Sequence, residues 1–178
     1  MPITIRKATP SDAELLVSLI RQLADYENMS DEVVADPVRL AEHLDASSSP
    51  RCEAIIAEDG HGEAAGFALY YWSYSTFLTD WGIYLEDLFV RDVFRGGGVG
   101  YALLAWLAGE VVRKGGRRLT WQVLDWNQPA IDFYSRLGAR TAVEWETMRL
   151  EGAALGDLAG SLPAASARLA AYSRTDES

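Results

Sequence analysis

Four glycines fall within five residues, Gly96-Gly97-Gly98-Val99-Gly100, between a β-rich run from Trp81 to Val90 and an apolar stretch of helical period from Tyr101 to Val112. A strand that runs through a bare loop into a helix confines the chain to an α/β architecture with a ready anion site. Glycines let the backbone come close to a phosphate, successive N–H groups form a nest, and the helix presents its positive dipole end. Two familiar phosphate patterns fail. A P-loop needs GxxxxGK[ST], but the only lysines are Lys7 and Lys114. A GxGxxG fingerprint meets Tyr101 when started at Gly96 and Leu103 when started at Gly98. The pattern that fits is [Q/R]xxGx[G/A], met by Arg95, Gly98 and Gly100.

The rest of the chain reads as alternating short elements. Residues 3–7 alternate as a strand, and Thr9-Pro10-Ser11-Asp12 starts a helix over about 10–27 with apolar residues at helical spacing. Asp36-Pro37 starts a second helix over 37–44. Strands follow at 52–59 and 64–75, joined by a Gly60-His61-Gly62-Glu63 turn, and at 81–90. After the helix at 101–112 come a strand at 118–124, a helix at 127–137 begun by Asn127 and a closing strand at 139–150. Hairpins in the first half and helical crossovers in the second predict a mixed sheet flanked by helices, in the α/β (α+β) class.

Charge narrows the partners. The formal net charge is −10, which repels nucleic acid and anionic lipid. Residues 1–70 hold 13 acids against 5 Lys or Arg, and residues 71–178 hold 13 against 11, so an anion belongs in the second half. One cysteine, Cys52, and two isolated histidines offer no disulfide framework and no His/Cys metal cluster. With no run of 18 apolar residues, a cytoplasmic protein with no membrane partner is the expectation.

Several spaced blocks then carry a family likeness: Leu23 to Glu27, Gly66 to Tyr71, Tyr74-Ser75-Thr76, Tyr84 to Asp87, Val90 to Gly100, Val123 to Gln128 and Phe133 to Ala139. In this order they resemble the GCN5-related N-acetyltransferases (GNAT), in the spermidine/spermine and thialysine N-acetyltransferase branch. The resemblance implies one N-acetyltransferase domain over residues 1–160, an Ala-rich tail over 161–178, and acetyl-CoA in the splay between the strands near 81–90 and 118–124. It further implies backbone contacts to the pantetheine arm along Leu88, Phe89 and Val90. The pyrophosphate would be held by Arg95, Gly96, Gly97, Gly98, Val99 and Gly100, with Asn127 and Tyr134 also at the cofactor. Strand alternation puts Tyr84, Glu86, Leu88 and Val90 on one face and Asp87 and Phe89 on the other.

The roles implied by the resemblance follow acyl-transfer chemistry, which needs a neutral amine and a proton for the departing thiolate. The resemblance implies that Glu86 takes the ammonium proton, directly or through water, and that Tyr134 protonates the sulfur. The amine site involves Tyr26, Glu27, Glu86 and Trp121, and a homodimer is implied. Ser75-Thr76-Phe77 replaces the Asp-Pro-Trp of polyamine-specific members, which favours thialysine, lysine-like amines or short diamines over spermine. Two alternatives remain open: a protein lysine or N-terminal acetyltransferase, and a non-catalytic acyl-CoA-binding domain.

Overall fold

The computed structural model describes residues 2–48, 50–142 and 146–161. By its internal contacts the chain divides into two compact units between Trp126 and Asn127. The first holds β1 (Thr4–Lys7), α1 (Ala13–Glu27), α2 (Pro37–Leu44), β2 (Glu53–Glu58), β3 (Ala64–Ser75), β4 (Asp80–Val90), α3 (Val99–Arg113) and β5 (Arg118–Trp121). Their five strands form one sheet in the order β1-β2-β3-β4-β5. The first three pairings are antiparallel and β4–β5 is parallel; short turns join β2 to β3 and β3 to β4, and the α3 crossover makes β4–β5 parallel.

Local chemistry fixes the helix ends. Asp12 accepts from Thr9 N at 2.8 Å and is gripped by the Arg6 guanidinium at 2.7 and 2.9 Å, which pins the start of α1 to β1. Asp36 accepts from Val38 N at 3.0 Å and starts α2. The sheet buries both faces. Leu16, Leu19 and Leu44 from α1 and α2 pack with Ile56, Phe67, Leu69 and Phe89 on one face. On the other, Tyr70 meets Trp106 of α3 at 6.4 Å between ring centroids.

The second unit contains α4 (Gln128–Arg136) and α5 (Gly152–Gly160). Asn127 caps α4 by accepting from Ala130 N at 3.3 Å. The expected closing strand does not form: residues 139–142 and 146–150 carry no strand, and 143–145 lie outside the described residues. An alternating pattern supplies one apolar side but not the hydrogen-bonding partner that makes a strand. Met148, within that pattern, is 89% exposed. Of the expected tail, residues 162–178 also lie outside the described residues.

Candidate active site

The site is built on a fault in the β3–β4 ladder. Tyr70 stands opposite Leu85 and Leu69 opposite Asp87, so Glu86 is an extra residue in β4, a β-bulge. The bulge corrects the expected parity. Tyr84, Asp87 and Phe89 oppose Tyr71, Leu69 and Phe67, which share the α1–α2 face; Ile83, Leu85, Leu88 and Val90 oppose Trp72, Tyr70, Ala68 and Gly66 on the α3 face. One added residue therefore turns Tyr84 away from Leu88 and Val90, and brings it onto the side of Asp87.

The same bulge opens the sheet. The β4–β5 pairing runs from Gly82/Arg118 to Leu85/Trp121 and stops there, one residue before Glu86. The strand expected over 118–124 ends at Trp121 because a bulge twists the edge of its partner away. From Glu86 to Val90 the β5 side of β4 is unpaired among the described residues, leaving backbone polar groups for an extended ligand.

At the end of this edge Asp92–Phe94 makes one 3-10 turn, and the glycine loop follows. Gly96 and Gly98 take left-handed conformations, with φ of 76° and 82°, and a Cβ at either would meet open space. Their requirement is conformational and not steric. Gly98 precedes the first turn of α3, which begins at Val99, and no side chain caps it. The ladder starts with Ala102 N to Gly98 O at 3.0 Å. Earlier N–H groups are those a helix leaves without an intrahelical partner. A left-handed loop, an uncapped helix start and an open strand edge in one line fit a nucleotide pyrophosphate joined to an extended amide arm.

Arg95 is held by protein groups. Its Nε donates to Val90 O at 3.0 Å, its guanidinium pairs with Asp92 at 2.9 Å, and its Cζ lies 4.5 Å from the Tyr26 ring centroid. Tyr26 in turn meets the Trp126 ring at 6.1 Å. Beside this corner is a carboxylate group that sequence reasoning missed. Burial raises the Asp87 carboxyl to about 6, and the charges of Glu86 and Glu27 push in the same direction. Burial also raises Glu27, the last residue of α1. Tyr71 and Tyr84 stack at 5.1 Å, and burial followed by the Glu86 charge raises both phenols.

The first unit thus brings together Tyr26, Glu27, Glu86, Leu88, Phe89, Val90 and the Arg95–Gly100 loop, with Trp121 across from Leu85. Asn127 and Tyr134 lie in the second unit, on or at the start of α4, where Tyr134 meets Phe133 at 5.3 Å. No local signal marked Asp87, Tyr71 and Tyr84 as a group, because their common face depends on the bulge.

Comparison with known proteins agrees with this architecture. The model of the acetyltransferase (GNAT) family matches residues 20–139. A thialysine N-epsilon-acetyltransferase of Bos taurus is 37% identical over 169 residues, covering 89% of this chain and 98% of that protein. An L-ornithine N5-acetyltransferase of Arabidopsis thaliana is 34% identical, with 85% of each chain covered. Among solved structures, an integron cassette protein from the mobile metagenome of V. cholerae superposes with a TM-score of 0.74 at 29% identity, over 89% of this chain and 98% of the other. Family model, relatives and fold agree on one assignment: this chain belongs to the acetyltransferase (GNAT) family.

Proposed function

We propose that the chain moves an acetyl group from acetyl-CoA to the primary amine of a small cationic substrate, of thialysine, lysine-like or short-diamine type, by direct attack. The observation that carries this reading is the open edge of β4, which starts at the Glu86 bulge and leads into the left-handed glycine loop. Relatives named for thialysine and ornithine acetylation support the amine class.

Bound along that edge, acetyl-CoA supplies the activated thioester. Leu88 and Val90 hold the arm through their backbones with Phe89 between them, and the N–H groups from Gly96 to Gly100 take the pyrophosphate. Glu86, at the start of the edge, receives the ammonium proton so that the nitrogen lone pair can attack. Tyr134 donates its phenolic proton to the departing sulfur and is restored by the second proton the nitrogen loses on forming the amide, and Asn127 fixes the start of its helix. Tyr26, Glu27 and Trp121 border the amine.

Direct attack is favoured over an acyl-enzyme because the only thiol is unsuited to the work. Cys52 packs against the apolar cluster of the α1–α2 face, and burial, then the Glu53 charge, raises its pKa, so the thiolate nucleophile is scarce. The same reading takes the working form as a cytoplasmic homodimer, and light scattering of the purified chain tests the dimer.

The deciding assay is thiol release from acetyl-CoA with thialysine, lysine, diaminopropane, putrescine, spermidine and a lysine-containing peptide. Turnover with a small amine is expected. Turnover with the peptide alone would replace the small-molecule reading with a protein acetyltransferase, and acetyl-CoA binding without turnover would leave a binding domain.

A further inference from the structure

Arg95 belongs to the glycine-loop motif, where an arginine beside a phosphate site would ordinarily be read as a charge aimed at the anion. Its contacts describe a different arrangement. The Nε donor goes to Val90 O at 3.0 Å, and the guanidinium pairs with Asp92 at 2.9 Å. Its Cζ lies over the Tyr26 ring, 4.5 Å from the centroid, and 5.9 Å from that of Phe89. Val90 is the last residue of β4, Asp92 begins the turn before the loop, and Tyr26 lies in the last turn of α1. One side chain therefore spans the strand end, the entry to the loop and the helix end next to Glu27. The Tyr26 ring is also packed near Trp126, which follows β5.

We propose that Arg95 is a positioning residue, a clasp between the cofactor loop and the Tyr26–Glu27 corner, through which an occupied loop tightens the hold on the amine. The proposal rests on the acetyl-CoA reading given above. A guanidinium can hold two acceptors in its plane and stack by its face at the same time, whereas an ammonium cannot. Backbone N–H groups bind the anion, so Arg95 is left to set the direction in which the loop leaves β4. By linkage, a clasp that helps the amine when the loop is filled must help the loop when the corner is ordered.

The test measures CoA affinity by calorimetry and amine KM by turnover, in the full chain. Tyr26→Leu removes the ring from α1, well outside the loop. Arg95→Gln removes the stacking cation. A cation–π contact of this kind corresponds to about threefold to tenfold in affinity. Tyr26→Leu is expected to weaken CoA by that factor with no amine present, and Arg95→Gln to raise amine KM by a similar factor at saturating acetyl-CoA. The double variant should bind CoA no more weakly than the worse single variant. Unchanged CoA affinity in Tyr26→Leu, or independent effects that multiply in the double variant, would overturn the clasp and leave the acetyl-CoA reading intact. An unmodified chain that binds no CoA would overturn both.

Discussion

Asp87 stands directly across from Leu69, although Glu86, its neighbour in the chain, has no partner in β3. The bulge thus sets two consecutive carboxylates into different surroundings, one exposed at the open edge of β4 and one partly buried on the α1–α2 face. Burial and two nearby negative charges then hold the second at a pKa of about 6.

This predicts opposite pH effects on binding and on stability. Between pH 5 and 7 Asp87 loses its proton, the negative charge beside Glu86 and Glu27 grows, and amine KM should fall. Asp87→Asn should remove that limb and keep KM at its low-pH value. For stability the sign reverses. The folded carboxyl, at about 6, lies above its ordinary value of 3.8, so its contribution is fully present below about pH 4 and is lost as pH rises through 6. Asp87→Asn should therefore melt higher than the unmodified chain at pH 7 while binding amine less well. A variant that loses both stability and affinity would contradict this account.

How much of this was legible beforehand depended on the range of the interaction involved. Caps at Asp36 and Asn127 and the loop at 96–100 are local, and their residues announce them. The Glu86 bulge is defined only by two strands in register, so alternation along β4 alone gave the wrong face for Tyr84 relative to Leu88. The early end of β5 follows from that bulge, and the tie from Arg95 to Tyr26 joins elements far apart in the chain. Neither has a signature within one segment.

Two glycines outside the loop should respond to alanine with opposite signs. A Cβ on Gly66 would lie 2.3 Å from the Phe89 carbonyl oxygen and 3.1 Å from the Val90 Cα, and this paired strand backbone leaves little room to yield. Gly66→Ala should cost about 1–3 kcal/mol, as overpacking does. Gly109 is exposed within α3 with nothing near its Cβ position, so Gly109→Ala should gain up to about 1 kcal/mol from helix propensity. Thermal melts of the two variants side by side check both.

Gly98→Ala separates loop conformation from loop space. At φ 82° the added methyl meets no neighbour, yet the backbone conformation costs an alanine about 1 kcal/mol or more. If the left-handed turn aims the N–H groups at the pyrophosphate, CoA affinity should fall at least about fivefold, with a small change in Tm. Calorimetry with CoA distinguishes this from a general loss of fold.

Tyr134→Phe and Glu86→Gln should separate the two proton-transfer roles of the proposed reaction. Loss of a general acid should lower kcat about a hundredfold or more with acetyl-CoA affinity kept. Loss of the proton acceptor should be partly recovered at higher pH, where more of the amine is already neutral. A Tyr134→Phe variant within about twofold of the unmodified kcat would remove Tyr134 from the mechanism.

Glu27 offers the cleanest test of how the amine is drawn in. It closes α1 next to Tyr26, burial raises its pKa, and its charge reaches Asp87, so it forms part of the same negative field as Asp87 and Glu86. Such a field acts on the approach and residence of a cation more than on bond making. Glu27→Lys should therefore raise KM about tenfold for a dicationic amine at low salt, with less effect on kcat, since a close charge pair is worth on the order of 1 kcal/mol or more. Raising ionic strength should narrow the gap between the two proteins, because screening weakens the field around both. A KM ratio that did not respond to salt would assign Glu27 a contact or packing role, and an unchanged KM would exclude it from the amine site.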